Sequence, residues 1–109
     1  MSYNVIAVPT FRKGVKRLIK KYPNLKTDLE ELFQSLEQNP IQGKSLGRNC
    51  YKVRIAISSK SKGKRGGARV ITNFVISNET IYLLSIYDKS DKDNITDKEL
   101  GELLELIPA

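Results

Sequence analysis

Histidine and tryptophan are absent from this chain of 109 residues, and cysteine and methionine occur once each. The missing imidazole excludes every histidine-based catalytic triad, and with it the usual zinc sites. No metal or other cofactor is therefore expected. The single Cys50 cannot build a disulfide framework within the chain. No stretch approaches the roughly 20 apolar residues of a membrane span. The first residues also lack the basic start and long apolar run of a signal peptide. A reduced, cytoplasmic setting without membrane contact is the resulting expectation. The length suits one domain, residues 1–109, and is too short for two independent cores. Apolar residues at 39% and charged residues at 28% argue against disorder.

Acidic residues are scarce where basic ones gather. The net charge is +7, and no carboxylate occurs between Glu37 and Glu79. That interval holds Lys44, Arg48, Lys52, Arg54, Lys60, Lys62, Lys64, Arg65 and Arg69. A second acid-free run, from the start to Thr27, holds Arg12, Lys13, Lys16, Arg17, Lys20, Lys21 and Lys26. Segregation of this kind creates a field that attracts polyanions, nucleic acid first among them. The bland alternative is a solvated basic surface that serves solubility.

Hydrophobic spacing sets out the elements. Tyr3 to Val8 reads as a short strand ended by Pro9-Thr10. Phe11, Val15, Leu18 and Ile19 recur at helical spacing, and Tyr22-Pro23-Asn24 breaks the pattern. Leu25, Leu29, Leu32, Phe33 and Leu36 form a second stripe up to Asn39-Pro40, so the two helices read as a hairpin. Ile41 to Asn49 reads as a loop. Three strands follow, at Cys50–Ser58, Ala68–Ile76 and Thr80–Lys89, the last two joined tightly through Asn78-Glu79. A basic, glycine-rich loop links the first two. Thr96 and Glu99 fit a capping box, flanked by Ile95 and Leu100 at staple positions. Leu100, Leu103, Leu104 and Ile107 give the last helix its apolar stripe. The order β-α-α-β-β-β-α predicts an α+β domain, its sheet mostly antiparallel with a helical hairpin on one face.

Strand alternation sorts the side chains. Tyr51, Val53, Ile55 and Ile57, then Val70, Thr72, Phe74 and Ile76, then Tyr82, Leu84 and Ile86 suit the helix side. Lys52, Arg54, Arg69, Asn73, Ser85, Tyr87 and Lys89 then share an open face with no carboxylate among them. Like charges crowd there, and phosphate is their natural partner, because arginine offers it a two-pronged fork.

Other motifs carry less. Gly63-Lys64-Arg65-Gly66-Gly67 lacks the Walker spacing and no helix follows it. Asp88, Asp91 and Asp93 miss the glycine of a calcium loop. Cys50 has no histidine to activate it and reads as a small strand residue.

The runs Tyr51-Lys52-Val53-Arg54, Gly66-Gly67-Ala68-Arg69-Val70-Ile71 and Leu83-Leu84-Ser85-Ile86-Tyr87-Asp88-Lys89, with the helical hairpin before them, resemble the RelE/ParE toxin superfamily. The pattern is most similar to HigB-type members and covers nearly the whole chain. The resemblance implies a bacterial toxin held inactive by a cognate antitoxin, the complex often repressing its own operator DNA. RelE-type relatives cut mRNA at the ribosome. ParE-type relatives share the fold and poison DNA gyrase.

Ribonucleolytic cleavage needs a proton removed from the ribose 2′-hydroxyl, a pentavalent phosphorane stabilised, and the leaving 5′-oxygen protonated. Arg69, central on the sheet, suits charge stabilisation, with Arg54 as second phosphate clamp. Acid and base fall to lysine, tyrosine, a ribosomal group or water. Crowding by arginine should depress the pKa of Lys52 and Lys89. Tyr87 is either a stacking platform for a base or a proton donor. Lys60, Lys62, Lys64 and Arg65 suit a grip on RNA backbone, and Asn73 joins the RNA-binding set. A gyrase inhibitor acting by protein contact and a plain nucleic-acid-binding module are the competing readings.

Overall fold

The computed structural model describes residues 2–58, 63, 66–92 and 94–108. Lys60, Lys62, Lys64, Arg65 and Asp93, named above, lie outside the described residues. The chain runs β1 (Asn4–Ala7), α1 (Pro9–Lys21), α2 (Leu25–Gln38), β2 (Lys44–Gly47), β3 (Cys50–Ile55), β4 (Ala68–Val75), β5 (Thr80–Asp88) and α3 (Asp97–Leu104). The five strands form one sheet in the order β1-β5-β4-β3-β2. Only the β1–β5 pair is parallel; the others are antiparallel. The α+β class stands, with one addition. The stretch expected as a loop contains β2, which pairs Lys44 with Lys52 and Ser45 with Tyr51. Four residues with a glycine at one end give too little alternation to read as a strand.

The helices form where their apolar spacing predicts. Pro9 occupies the first turn of α1, where its missing N–H costs nothing, and Lys20 and Lys21 complement the dipole at the other end. Phe11 and Leu18 of α1 and Leu25, Leu29, Leu32 and Leu36 of α2 are buried against the sheet. Gly14 lets α1 approach β5 closely: a Cβ there would stand 2.8 Å from the Ile86 side chain. Ile86, Val70 and Val53 are cross-strand partners, so this row faces the helical hairpin.

A β-bulge changes one half of β5. Ile71 pairs with Ser85 but Thr72 pairs with Leu83, leaving Leu84 as an extra residue. The Thr10 hydroxyl donates to the Leu84 carbonyl at 2.6 Å, giving that carbonyl a partner off the ladder. Beyond the bulge the alternation is reset. Ile81 and Leu83 share the hairpin side with their partners Val5 and Ala7, and Tyr82 turns to the opposite face beside Asn73. The expectation that Tyr82 and Leu84 continue the row of Ile86 is therefore corrected. Strict period-two reading fails wherever one residue is inserted.

The second correction concerns that opposite face, which is covered. The segment after β5 crosses it and α3 packs over it. Leu100 is buried, and Ile95, Leu103, Leu104 and Ile107 pack against the core. The capping box forms as predicted: the Glu99 N–H donates to Thr96 Oγ1 at 3.1 Å, and the Thr96 N–H donates to Glu99 Oε1 at 3.0 Å.

Just before β4 the chain passes close to β3. A Cβ on Gly67 would lie 1.9 Å from the Ile55 carbonyl oxygen. Gly67→Ala should therefore force the strands apart and destabilise the fold by about 1–3 kcal/mol, the usual scale of overpacking. Thermal unfolding would show this as a fall in Tm of roughly 4–8 °C per kcal/mol for a domain of this size.

Candidate functional site

Register brings three of the residues singled out in the sequence into one row. Arg54 of β3 pairs with Arg69 of β4, which pairs with Tyr87 of β5. Paired residues project to the same side, so two guanidinium groups and a phenol ring share a line across the sheet. The next row toward β2 holds Lys52, Ile71 and Ser85, and the one beyond it holds Cys50, Asn73 and Tyr82. Alternation thus puts the cations on the face opposite the helical hairpin, as expected.

Their exposure is not as expected. Arg69 is 1% exposed, Lys52 and Tyr87 5%, and Asn73 6%. Arg54 is exposed and Lys89 is half-buried. The cover consists of residues 89–92 and 94–96 and α3. Lys52 Nζ donates to Asn94 Oδ1 at 2.9 Å, and the Lys92 ammonium stands 5.0 Å from the centre of the Tyr87 ring. Arg48 Nη2 reaches the Asp97 carbonyl at 3.4 Å. Arg69 Nη1 donates to the Ala68 carbonyl at 3.2 Å. Asn73 acts locally. Its amide donates to the Arg48 and Asn49 carbonyls and to Cys50 Sγ, at 3.0, 3.3 and 3.3 Å. These bonds hold the left-handed Arg48-Asn49 turn between β2 and β3. Burial pushes the Cys50 thiol up, away from the reactive thiolate.

Sequence reasoning missed Lys92 and Asn94. Both lie beyond the last strand, where alternation offers no guide. It also placed no carboxylate near this face, yet α3 supplies Glu99. Lys92 Nζ and Glu99 Oε2 are 2.6 Å apart. The Lys92 ammonium, and then the Thr96 N–H, hold the Glu99 carboxyl down at about 2. Glu99 therefore stays charged at neutral pH, and its ion pair with Lys92 ties the start of α3 to the segment over the row.

Two grooves flank the sheet. One, of about 640 Å³, lies between α1 and α2. Phe11, Val15, Ile19 and Phe33 line it, with Arg12, Lys16, Lys20 and Lys26 around them and Glu30 as its only acid. The Phe11 and Phe33 rings lie 6.2 Å apart there. The other, of about 520 Å³, runs between α2 and the edge of β3.

A sheet with a helical hairpin on one face and a cationic row under a C-terminal helix on the other is also the fold of several solved structures. A free-state RelE toxin variant from E. coli superposes with a TM-score of 0.63 at 16% identity, over 99% of this chain and 100% of that one. The RelBE2 toxin–antitoxin complex of Mycobacterium tuberculosis matches at 0.61 and 22% identity, over 81% and 99%. The intact E. coli RelBE complex matches at 0.59 and 16%, over 80% and 96%. At these identities the likeness establishes the fold. The family model for the RelE toxin of the RelE/RelB toxin–antitoxin system matches residues 10–107, and the chain belongs to that family. Among the described residues, no helix is long and apolar enough to cross a membrane.

The Glu99 carboxyl should report the integrity of the cover. Its folded pKa is depressed, so its contribution to stability is present above the ordinary carboxylate range and is lost as pH falls from about 4.5 toward about 2. Removing the ammonium with Lys92→Met should raise the Glu99 midpoint toward the ordinary value of about 4.3. Carbon-detected NMR titration of the carboxyl measures it, and an unmoved midpoint would show that Lys92 is not its partner in solution.

Proposed function

We propose that this chain is the toxin of a type II toxin–antitoxin pair, most similar to the HigB-type pattern. In this reading it inhibits translation in the cytoplasm by ribosome-dependent cleavage of mRNA. The observation that carries the reading is the row Arg54–Arg69–Tyr87 on three adjacent strands, with Lys52 one row away. Such a row offers planar donors for a phosphate and an aromatic face for a base, the two things single-stranded RNA presents.

In this reading the ribose 2′-hydroxyl attacks the adjacent phosphorus and the 5′-oxygen departs. Arg69 stabilises the phosphorane charge from the middle of the sheet. Arg54 clamps a phosphate oxygen at the exposed end of the row. Lys52 and Lys89 are the candidate proton carriers, and Tyr87 stacks on a base or donates a proton. Arginine holds its charge throughout, so the transition state meets donors already in place. With Arg69 and Tyr87 buried beneath the cover, substrate contact requires that cover to shift. The ribosome supplies what the chain lacks for unaided acid–base chemistry, so free RNA is a poor substrate. Lys60, Lys62, Lys64 and Arg65 grip the RNA backbone. Operator DNA is contacted only through the antitoxin complex.

The antitoxin docks on the groove between α1 and α2. Apolar side chains line that groove and cations surround it, which suits an acidic amphipathic helix. Steering by unlike charges speeds capture, and the lining supplies the anchors.

Primer extension on a translated mRNA, with and without ribosomes, tests the catalytic reading. Arg69→Ala should lower cutting by about 10²–10³, the usual loss for one preorganised donor. Arg69→Lys keeps the charge without the fork and separates a chemical loss from a folding loss. Cutting by both variants within a few-fold of wild type would remove Arg69 from the chemistry. Growth inhibition without any mRNA cut would favour a gyrase-type inhibitor.

For the antitoxin, the association rate should fall as salt rises, because steering is screened within about 8–10 Å at physiological ionic strength. Lys16→Glu with Lys20→Glu should slow capture further at low salt. A salt-independent rate in stopped-flow mixing would remove the electrostatic argument.

A further inference from the structure

Asp88 is the last residue of β5, and its carboxylate is closed off from water at 1% exposure. A buried carboxylate is costly unless donors meet it, and here donors come from two directions. Oδ2 accepts from the Tyr22 hydroxyl at 2.9 Å. Oδ1 accepts from the Ser90 N–H at 3.0 Å and from the Ser90 hydroxyl at 2.8 Å. Tyr22 lies 66 positions earlier, where α1 meets α2, and Ser90 belongs to the cover. One side chain therefore touches the layers on both sides of the sheet.

The backbone at each end gives these contacts a fixed geometry. The Asp88 carbonyl accepts from the Asp91 N–H at 3.0 Å and the Lys92 N–H at 3.3 Å, which closes residues 88–92 into a turn. That turn carries Lys92 to its place, 5.0 Å from the centre of the Tyr87 ring and 2.6 Å from Glu99 Oε2. At the other end, the Tyr22 N–H donates to the Leu18 carbonyl at 2.8 Å and closes α1. The Tyr22 carbonyl accepts from the Leu25 N–H at 3.0 Å and leads into α2. Pro23 follows and disfavours the helical region for Tyr22, which stands at φ −130° and ψ 84°. Ile19 and Lys20 just before this junction, and Lys26 just after it, line the groove between α1 and α2.

An aspartate needed only to end β5 is served by the Ser90 N–H, as in an ordinary Asx turn. Here the second oxygen is turned to the hairpin, where it meets a phenol whose ring packs against the core. We propose that Asp88 is a positioning residue, and that the Tyr22–Asp88 bond transmits the seating of the α1–α2 junction to the cover over the Arg54–Arg69–Tyr87 row. A partner that shifts the junction thereby changes how often the cover opens. The link itself rests on this geometry, and its consequence for cutting rests on the mRNA-cleaving reading.

Amide hydrogen exchange on the whole chain tests the link, because local opening and global unfolding expose different amides. In the wild type, the amides of Asp91, Lys92 and Leu100 should exchange faster than those of Val70 and Thr72 in β4, which marks a separate opening of the cover. Tyr22→Phe keeps the ring and removes the donor. If the bond breaks when the cover opens, the cover amides should speed up about 2–12-fold, the range spanned by one net hydrogen bond. A bond that serves stability alone would speed the β4 amides and leave the cover unmoved, which overturns the proposal. Pro23 is exposed, so Pro23→Gly loosens the junction without emptying the core. It should speed the same cover amides in the wild-type background and add nothing to Tyr22→Phe. Effects of the two variants that simply add, or cover amides no faster than those of β4 in the wild type, also overturn the link. Primer extension reads the consequence. Tyr22→Phe should raise cutting by the same factor as cover opening, since apparent affinity follows the open fraction. Unchanged cutting overturns control of the row by this bond. Absence of any cut by the wild type removes the ribonuclease reading and leaves the exchange result to decide the link.

Discussion

A guanidinium closed off from water at the centre of the sheet is the constraint around which the molecule is arranged. Arg69 cannot shed its charge, and an ion removed from water costs several kcal/mol unless its surroundings compensate. Its in-register neighbours are Arg54 and Tyr87, and its Nη1 donates to the Ala68 carbonyl. Apolar packing holds both faces: Val53, Val70 and Ile86 meet the helical hairpin on one side, and Ile71 and Tyr82 lie beneath the cover that carries Leu100 on the other. Buried cations beneath a cover are uncommon in a sheet face, since long charged side chains are mostly exposed.

The family elements and the helical hairpin were legible because they depend on local spacing. Leu25, Leu29, Leu32 and Leu36 repeat at intervals that only a helix brings to one side. Thr96 and Glu99 announced the start of α3 because a capping box involves residues three apart. That Arg54, Arg69 and Tyr87 share a face was legible too, because alternation fixes which side chains project together, whereas their pairing in one row was not. Three further features escaped, each for a non-local reason. The bulge at Leu84 depends on a carbonyl meeting Thr10, 74 positions away in the chain. β2 forms only because β3 is beside it. The cover over the cations depends on where α3 docks, and its apolar stripe says that it packs but not on which face.

Glu99 ties two levels of structure together. One carboxylate oxygen closes the capping box of α3, and the other grips Lys92, whose ammonium also faces the Tyr87 ring. The start of the last helix and the segment over the cationic row are thus held through a single side chain. Isolated surface ion pairs contribute little, but this one acts on a helix of only 8 residues, which has small intrinsic stability of its own. The docking of α3 consequently depends on its buried stripe and its cap together.

Positive charge alone does not distinguish an acidic protein from a nucleic acid, since both are drawn to a net +7. Discrimination comes from what accompanies the charge. Between α1 and α2 the cations surround phenyl and aliphatic side chains, a surface that gains from expelling water against another apolar face. Across the sheet the cations accompany a phenol ring and fixed polar groups, a surface suited to planar and hydrogen-bonding partners. The two lie on opposite faces of the same sheet, so a partner on the hairpin does not itself cover the cationic row. Any control that a partner on the hairpin exerts over the cationic row must then act through a further segment reaching that face, or through the sheet, whose central strand β4 is buried on both sides.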